Sequence, residues 1–187
     1  MARRSVTVDG NTVLVNQTST SSNSLTTTAQ EGSGNLADIT VSGAGVSVAG
    51  RQATSAGYYN NEPPETDVWQ ISDNNKAYIE QASDASRVTI YQGLEQPVQG
   101  QYGYNLALGG NNLADVTQNV GADGSRADVI QGGSDHTATV IQNGADSVSY
   151  LNQTGANNEA TVTQGGYGND SFVVQGGSAN IASVTQN

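Results

Sequence analysis

The chain is 187 residues long, with only 35% hydrophobic and 5% aromatic residues, which argues against a conventional globular core. Six Lys and Arg face 17 Asp and Glu, a net charge of -11, and this excess opposes the phosphate neutralisation that drives nucleic-acid binding. There is no Cys, so neither disulfides nor thiolate metal ligands are available, and stability must come from the backbone ladder and side-chain packing.

At the N-terminus no apolar run follows Met1-Ala2-Arg3-Arg4 as it would in a signal peptide, and no apolar run anywhere is long enough to span a bilayer. Arg3-Arg4 admits a twin-arginine export reading, but a basic start beside an artificial or processed Met is preferred. Patterning begins with Val6 and Val8. It continues as Asn11, Val13, Val15 and Gln17, then Ser24, Gln30 and Gly32, then Asn35, Ala37 and Ile39 with Val41 where Gln is expected, and Gln52. Alternation at a period of two predicts short strands with one face inward.

Two interruptions follow, about Ala53 to Glu65 and about Gly93 to Asn111, and they hold Pro63, Pro64 and Pro97. Proline cannot donate to a ladder, so these are expected to be loops bulging from the stack. Between them Gln70, Gln81 and Gln92 recur every 11 residues. After Asn112 the pattern is regular: Gln118, then Gln131, Gln142, Gln153, Gln164, Gln175 and Gln186 at steps of 11. Four residues before each Gln stands a small residue such as Ala138 or Ser149, and two before it an aliphatic one such as Val140 or Leu151. Six before it stands Asn or Ser, including Asn158, Asn169 and Asn180, and two after it Gly in most units (Gly133, Gly144, Gly155, Gly166, Gly177), where a positive φ is tolerated and a tight turn is expected to close each strand.

A strand and turn every 11 residues makes 22 residues per two-strand coil, too short for a hairpin with its own core but suited to stacked parallel coils. The predicted fold is all-β, a parallel β-solenoid of about seven coils that stacks into a cross-β fibre. Residues 1–187 form one solenoid, with degenerate repeats over 5–52, an insertion over 53–65, repeats over 66–92, a second insertion over 93–111 and regular repeats over 112–187. Residues 22 apart then lie one above another at ~4.8 Å, so Gln142, Gln164 and Gln186 share one ladder and Gln131, Gln153 and Gln175 another. Buried amides are costly unless paired, and an axial ladder satisfies donor and acceptor together. The last unit stops in mid-pattern at Gln186-Asn187. Both terminal rungs are expected to offer open edges, so the chain itself is the expected partner, joined head to tail.

Ser147, Gln153, Gly155, Asn158, Ala160 and Gln164 reproduce the spacing Ser-x5-Gln-x-Gly-x2-Asn-x-Ala-x3-Gln. On these residues the chain resembles the curlin-repeat family. A near match runs through Ser125, Gln131, Gly133, Ala138 and Gln142, with His136 in the Asn slot, and another through Ser24, Gln30, Gly32, Asn35 and Ala37. The resemblance implies a secreted curli-type fibre subunit, exported unfolded through an outer-membrane channel, started by a nucleator subunit and serving as biofilm matrix and adhesive. The family usually has about five repeats and a channel-targeting segment before them, whereas here patterning starts almost at once. Major and minor, nucleating subunit both remain open.

Particular residues admit other readings. Gly165-Gly166-Tyr167-Gly168-Asn169-Asp170 fits one calcium-binding nonapeptide with Asp170 as a ligand, but the match is single and the period differs, so a Gly-rich turn is preferred and no metal or cofactor is assigned. Trp69 with Tyr91, and Tyr150 with Phe172, are each 22 apart and are expected to stack on an outer face, either shielding the ladder or forming an adhesive patch. His136 is the only histidine, which leaves no histidine relay, and it reads as a turn residue replacing Asn. Carbohydrate-active β-helices need clustered Asp, Arg and Lys, and no convergent set is visible, so no catalytic residues are assigned. An ice-binding solenoid needs a regular outward Thr array, and Thr161 and Thr163 are expected not to recur in neighbouring coils. Outward acids such as Asp115, Asp128, Asp135, Asp146 and Asp170 are expected to slow assembly until salt or protons neutralise them.

Overall fold

The structure is a computed structural model and describes residues 2–8, 10–18, 26–43, 66–71, 73–92 and 109–187. The insertion expected at 53–65, most of that expected at 93–111, the three prolines, Ser24, Gln52 and the segment Tyr104 to Leu108 lie outside the described residues.

Short alternating runs punctuated by Gly, Asn and Ser become strands here because each buries one line of small and aliphatic side chains. One sheet has eight strands: β1 (Ala2–Val8), β2 (Asn11–Gln17), β4 (Leu36–Val41), β6 (Lys76–Gln81), β8 (Leu113–Gln118), β10 (Thr137–Gln142), β12 (Glu159–Gln164) and β14 (Ile181–Gln186), in that order. The other has six, running from β3 (Thr26–Glu31) through β5 (Thr66–Ile71), β7 (Arg87–Gln92), β9 (Arg126–Ser134) and β11 (Val148–Ala156) to β13 (Asp170–Ser178). From β2 onward the pairing within each sheet is parallel, and no helix occurs among the described residues. The result is an all-β parallel solenoid of about five turns.

Between the sheets lies one apolar cluster. The eight-stranded sheet supplies Ala77, Ala114, Ala138 and Ala160 with Ile79, Val116, Val140 and Val162; the other supplies Val88, Ile90, Ala127, Val129, Leu151 and Val173. An Ala opposite Ala and Val opposite Val register, as in β10 against β12, lets identical volumes stack without voids.

The first edge differs from expectation. β1 runs antiparallel to β2, with Val8 opposite Asn11 and Val6 opposite Val13, so the rung expected to be open is covered on the eight-stranded side. Only Asp9-Gly10 separates the paired ends, and Gly10 has φ 77°; a two-residue Asp-Gly loop favours a tight hairpin over a solenoid step.

The turn glycines divide into two kinds. Gly133, Gly155 and Gly177 have φ of 106°, 103° and 94°, a conformation open to glycine and costly for others. Gly144 and Gly166 do not adopt a positive φ; a Cβ on Gly144 would collide with the Gly166 carbonyl of the next rung. Close approach, rather than φ, requires glycine there.

Candidate functional site: the amide columns and their corners

The Gln side chains turn inward: Gln70, Gln81, Gln92, Gln118, Gln131, Gln142, Gln153, Gln164 and Gln175 are buried, and Gln30 and Gln186 near the two ends are half-buried. In the six-stranded sheet Gln30 donates to Gln70 (2.6 Å), Gln70 to Gln92 (2.9 Å), Gln92 to Gln131 (2.9 Å), Gln131 to Gln153 (3.0 Å) and Gln153 to Gln175 (2.8 Å), each from Nε2 to Oε1. In the other sheet Gln81, Gln118, Gln142, Gln164 and Gln186 are linked the same way at 2.8 to 3.0 Å. Val41, in register with Gln17 and Gln81, interrupts that column on the N-terminal side.

Each amide also reaches across to the facing sheet. Gln131, Gln153 and Gln175 donate to the carbonyls of Leu113, Thr137 and Glu159, and Gln142, Gln164 and Gln186 to those of Arg126, Val148 and Asp170, all at 2.9 or 3.0 Å. One Nε2 thus serves the axis and the opposite strand together. This accounts for Gln rather than the shorter Asn at these positions, since both N–H groups of a buried amide must be met.

Asn residues six before the Gln form a separate column at one corner. The Asn75 backbone N–H donates to Asn35 Oδ1 (2.8 Å), Asn112 to Asn75 (3.2 Å), His136 to Asn112 (3.1 Å) and Asn180 to Asn158 (3.0 Å). Ser86, Ser125 and Ser147 form the equivalent column at the other corner, and Asn169 joins that one: its N–H donates to Ser147 Oγ at 3.4 Å. Asn169 is therefore not in the column that holds Asn158 and Asn180. The residue before each corner, such as Asn74, Asn111, Asn157 or Ala179, has φ between 56° and 61°, the left-handed region that Asn tolerates and Ala does not favour.

His136 is fully buried in the asparagine column. Its Nδ1 accepts the N–H of Asn158 (3.1 Å) and its Nε2 lies 3.2 Å from the Gly132 carbonyl. The neutral ring protonated on Nε2 satisfies both. Burial, the largest influence, pushes its pKa below the ordinary value, against Gly132, Asp135 and Gly155, which push it up.

On the outer face Tyr150 and Phe172 stack with centroids 4.8 Å apart and rings 9° from parallel. Trp69 and Tyr91 are register partners in β5 and β7, and the Trp69 side chain lies outside the described residues. The expectation that Thr161 and Thr163 do not recur is overturned: Thr161 is flanked by Thr139 and Ser183, and Thr163 pairs with Thr185. The period of 22 carries them into register, and Ile141 beside Thr163 limits the hydroxyl array. Asp115, exposed on β8, has its pKa raised by partial desolvation and then by Glu80 on the adjacent strand. In the Gly165–Asp170 turn, Tyr167 is exposed and its hydroxyl is pushed up by a hydrogen bond to Asp146. Among the described residues no three His, Asp or Glu are grouped to hold a metal ion.

Residues 155–187 match the family model of the curlin associated repeat. No curated protein and no solved structure matches the chain. The matched stretch contains Gly155, Asn158, Ala160, Gln164, Gln175 and Gln186, residues of the columns and core described above. With its spacing and its stacked amides, this chain carries the curlin associated repeat in residues 155–187.

Proposed function

We propose that the chain is the structural subunit of an extracellular fibre of the curli type, in which copies join head to tail and continue both sheets along one axis. The direction of the amide columns carries this reading. Within both columns each linked Gln Nε2 donates toward the next rung and each linked Oε1 accepts from the preceding one, so a stack has a donor end at β13 and β14 and adds a second copy in one orientation. Such an open heterologous contact gives a filament rather than a ring. Curlin repeats belong to structural fibre subunits, so no catalytic role is assigned.

The finer architecture belongs to the same reading: two short strands per 22-residue coil, about seven coils from β2 onward, and insertions at 53–65 and 93–111 within one unit of 1–187. The Gln and Asn columns are the assembly residues, and Tyr150 with Phe172 forms an outer stack available for lateral contact. Biofilm matrix and adhesion, extracellular location, a nucleator and an export apparatus follow from family resemblance. The test is electron microscopy of purified protein held at room temperature with thioflavin fluorescence alongside. Unbranched fibres with rising fluorescence support the reading; a protein that elutes as a monomer after days contradicts it and favours a ligand-binding solenoid.

A further inference from the structure

Among the described strands β1 is the one whose pairing departs from the parallel order, and it lies where a neighbouring copy belongs. In the parallel register, each rung of the eight-stranded sheet sets small, aliphatic and Gln positions over their equivalents, as Ala160, Val162 and Gln164 lie against Ala182, Val184 and Gln186. Val13, Val15 and Gln17 of β2 occupy those positions at the other end of the sheet. A second copy presenting β14 would therefore set Ala182, Val184 and Gln186 against Val13, Val15 and Gln17.

β1 fills that edge without imitating the rung. Its antiparallel register places Arg4 opposite Val15 and Ala2 opposite Gln17. β1 in this register brings no amide opposite Gln17, and it occupies the edge of β2 that an incoming parallel strand would need. Among the described residues no equivalent strand lies beyond β3, which ends the six-stranded sheet. β1 thus guards the eight-stranded half of the first rung.

We propose that β1 is a detachable guard that competes with β14 of a second copy for the edge of β2, so that its release gates elongation. This rests on the fibre reading above. The incoming copy first meets β3 through its own β13; displacement of β1 then lets β14 seat on β2 and the amide column continue. The Asp9-Gly10 hairpin closes locally, which favours the guarded state in the monomer, whereas the full parallel rung with its amide is gained only in the fibre.

The absence of cysteine from the chain permits a direct test. Thr7 and Thr12 are opposite one another in β1 and β2, so a Thr7→Cys, Thr12→Cys variant ties the guard shut when oxidised and frees it when reduced. Sheared wild-type fibres are offered each form, and lengthening is followed by microscopy. The oxidised form is expected to add at most once at one end and then stop growth, with a thiol reductant restoring it. Gly10→Val, which strains the hairpin at positive φ, and a chain lacking residues 2–8 are expected to elongate about tenfold faster than wild type if the released state is populated in roughly one molecule in ten. Equal elongation by the oxidised and reduced forms overturns the guard while leaving the fibre intact. Failure of the wild-type chain to form fibres overturns the fibre reading and the guard with it.

Discussion

The Nδ1 of His136 accepts the backbone N–H of Asn158 at 3.1 Å, taking the place that an asparagine oxygen holds elsewhere in the same column. A protonated ring cannot accept that bond. Because burial lowers the folded-state pKa below 6.5, the unfolded chain binds more protons as pH falls below that value, and stability is lost in the window from there down to the folded pKa. His136→Asn is expected to remove this pH dependence, and His136→Ala to cost about 2 kcal/mol at neutral pH by leaving the Asn158 N–H unmet. Urea midpoints at pH 7.5 and 5.5 check both; the same loss on acidification in wild type and His136→Asn contradicts the account.

Gln153 joins Gln131, Gln175 and the Thr137 carbonyl. Gln153→Leu keeps the volume but leaves those three groups without their partner, so a loss of about 2 to 3 kcal/mol is expected. The outward Thr161→Ala is expected to change stability by less than about 0.5 kcal/mol. Denaturant titration of both variants compares an axial link with an outer-face residue.

Ser149 and Ser171 stand where Ala127 stands in β9, buried among apolar neighbours, and their hydroxyls have no hydrogen-bond partner among the described residues. Ser149→Ala and Ser171→Ala are each expected to stabilise the chain by about 1 kcal/mol. A shift of the urea midpoint to lower concentration runs against this.

Asp115 on β8 feels partial desolvation first and Glu80 second, and both raise its pKa from 3.8. A carboxyl with a raised folded pKa favours the fold fully only below its unfolded value, and that contribution is lost as pH rises through the folded pKa. Asp115→Asn is therefore expected to be more stable than wild type at pH 7, by less than about 1 kcal/mol at this exposed position, with the advantage gone near pH 3. The same repulsion makes fibre growth faster in raised salt than in low-salt buffer, and equal lag times in the two contradict it.

Much of the stack could be read from spacing alone. Gln142, Gln164 and Gln186 reveal a ladder because axial stacking maps a sequence period directly onto contacts. The cross-sheet bonds of the same amides were not legible, since which carbonyl faces Nε2 depends on how the two sheets are offset. The same period of 22 puts Asn158 over Asn180 and sends Asn169 to the other column, although that its neighbours there are serines follows only from the residues of alternate units. His136 read as a turn residue because one sequence does not disclose that a turn position is buried. The antiparallel β1 did have a signal, Asp9-Gly10 between Val8 and Asn11, which the alternation of Val6 and Val8 with Val13 and Val15 masked.

Fibre diffraction from aligned fibres of the purified chain tests the shared axis most directly. Copies that continue the columns end to end place every strand across the fibre and give a meridional reflection at about 4.8 Å. Ordered fibres without that reflection, built from solenoids lying across the axis instead of along it, would contradict the stacking proposed here.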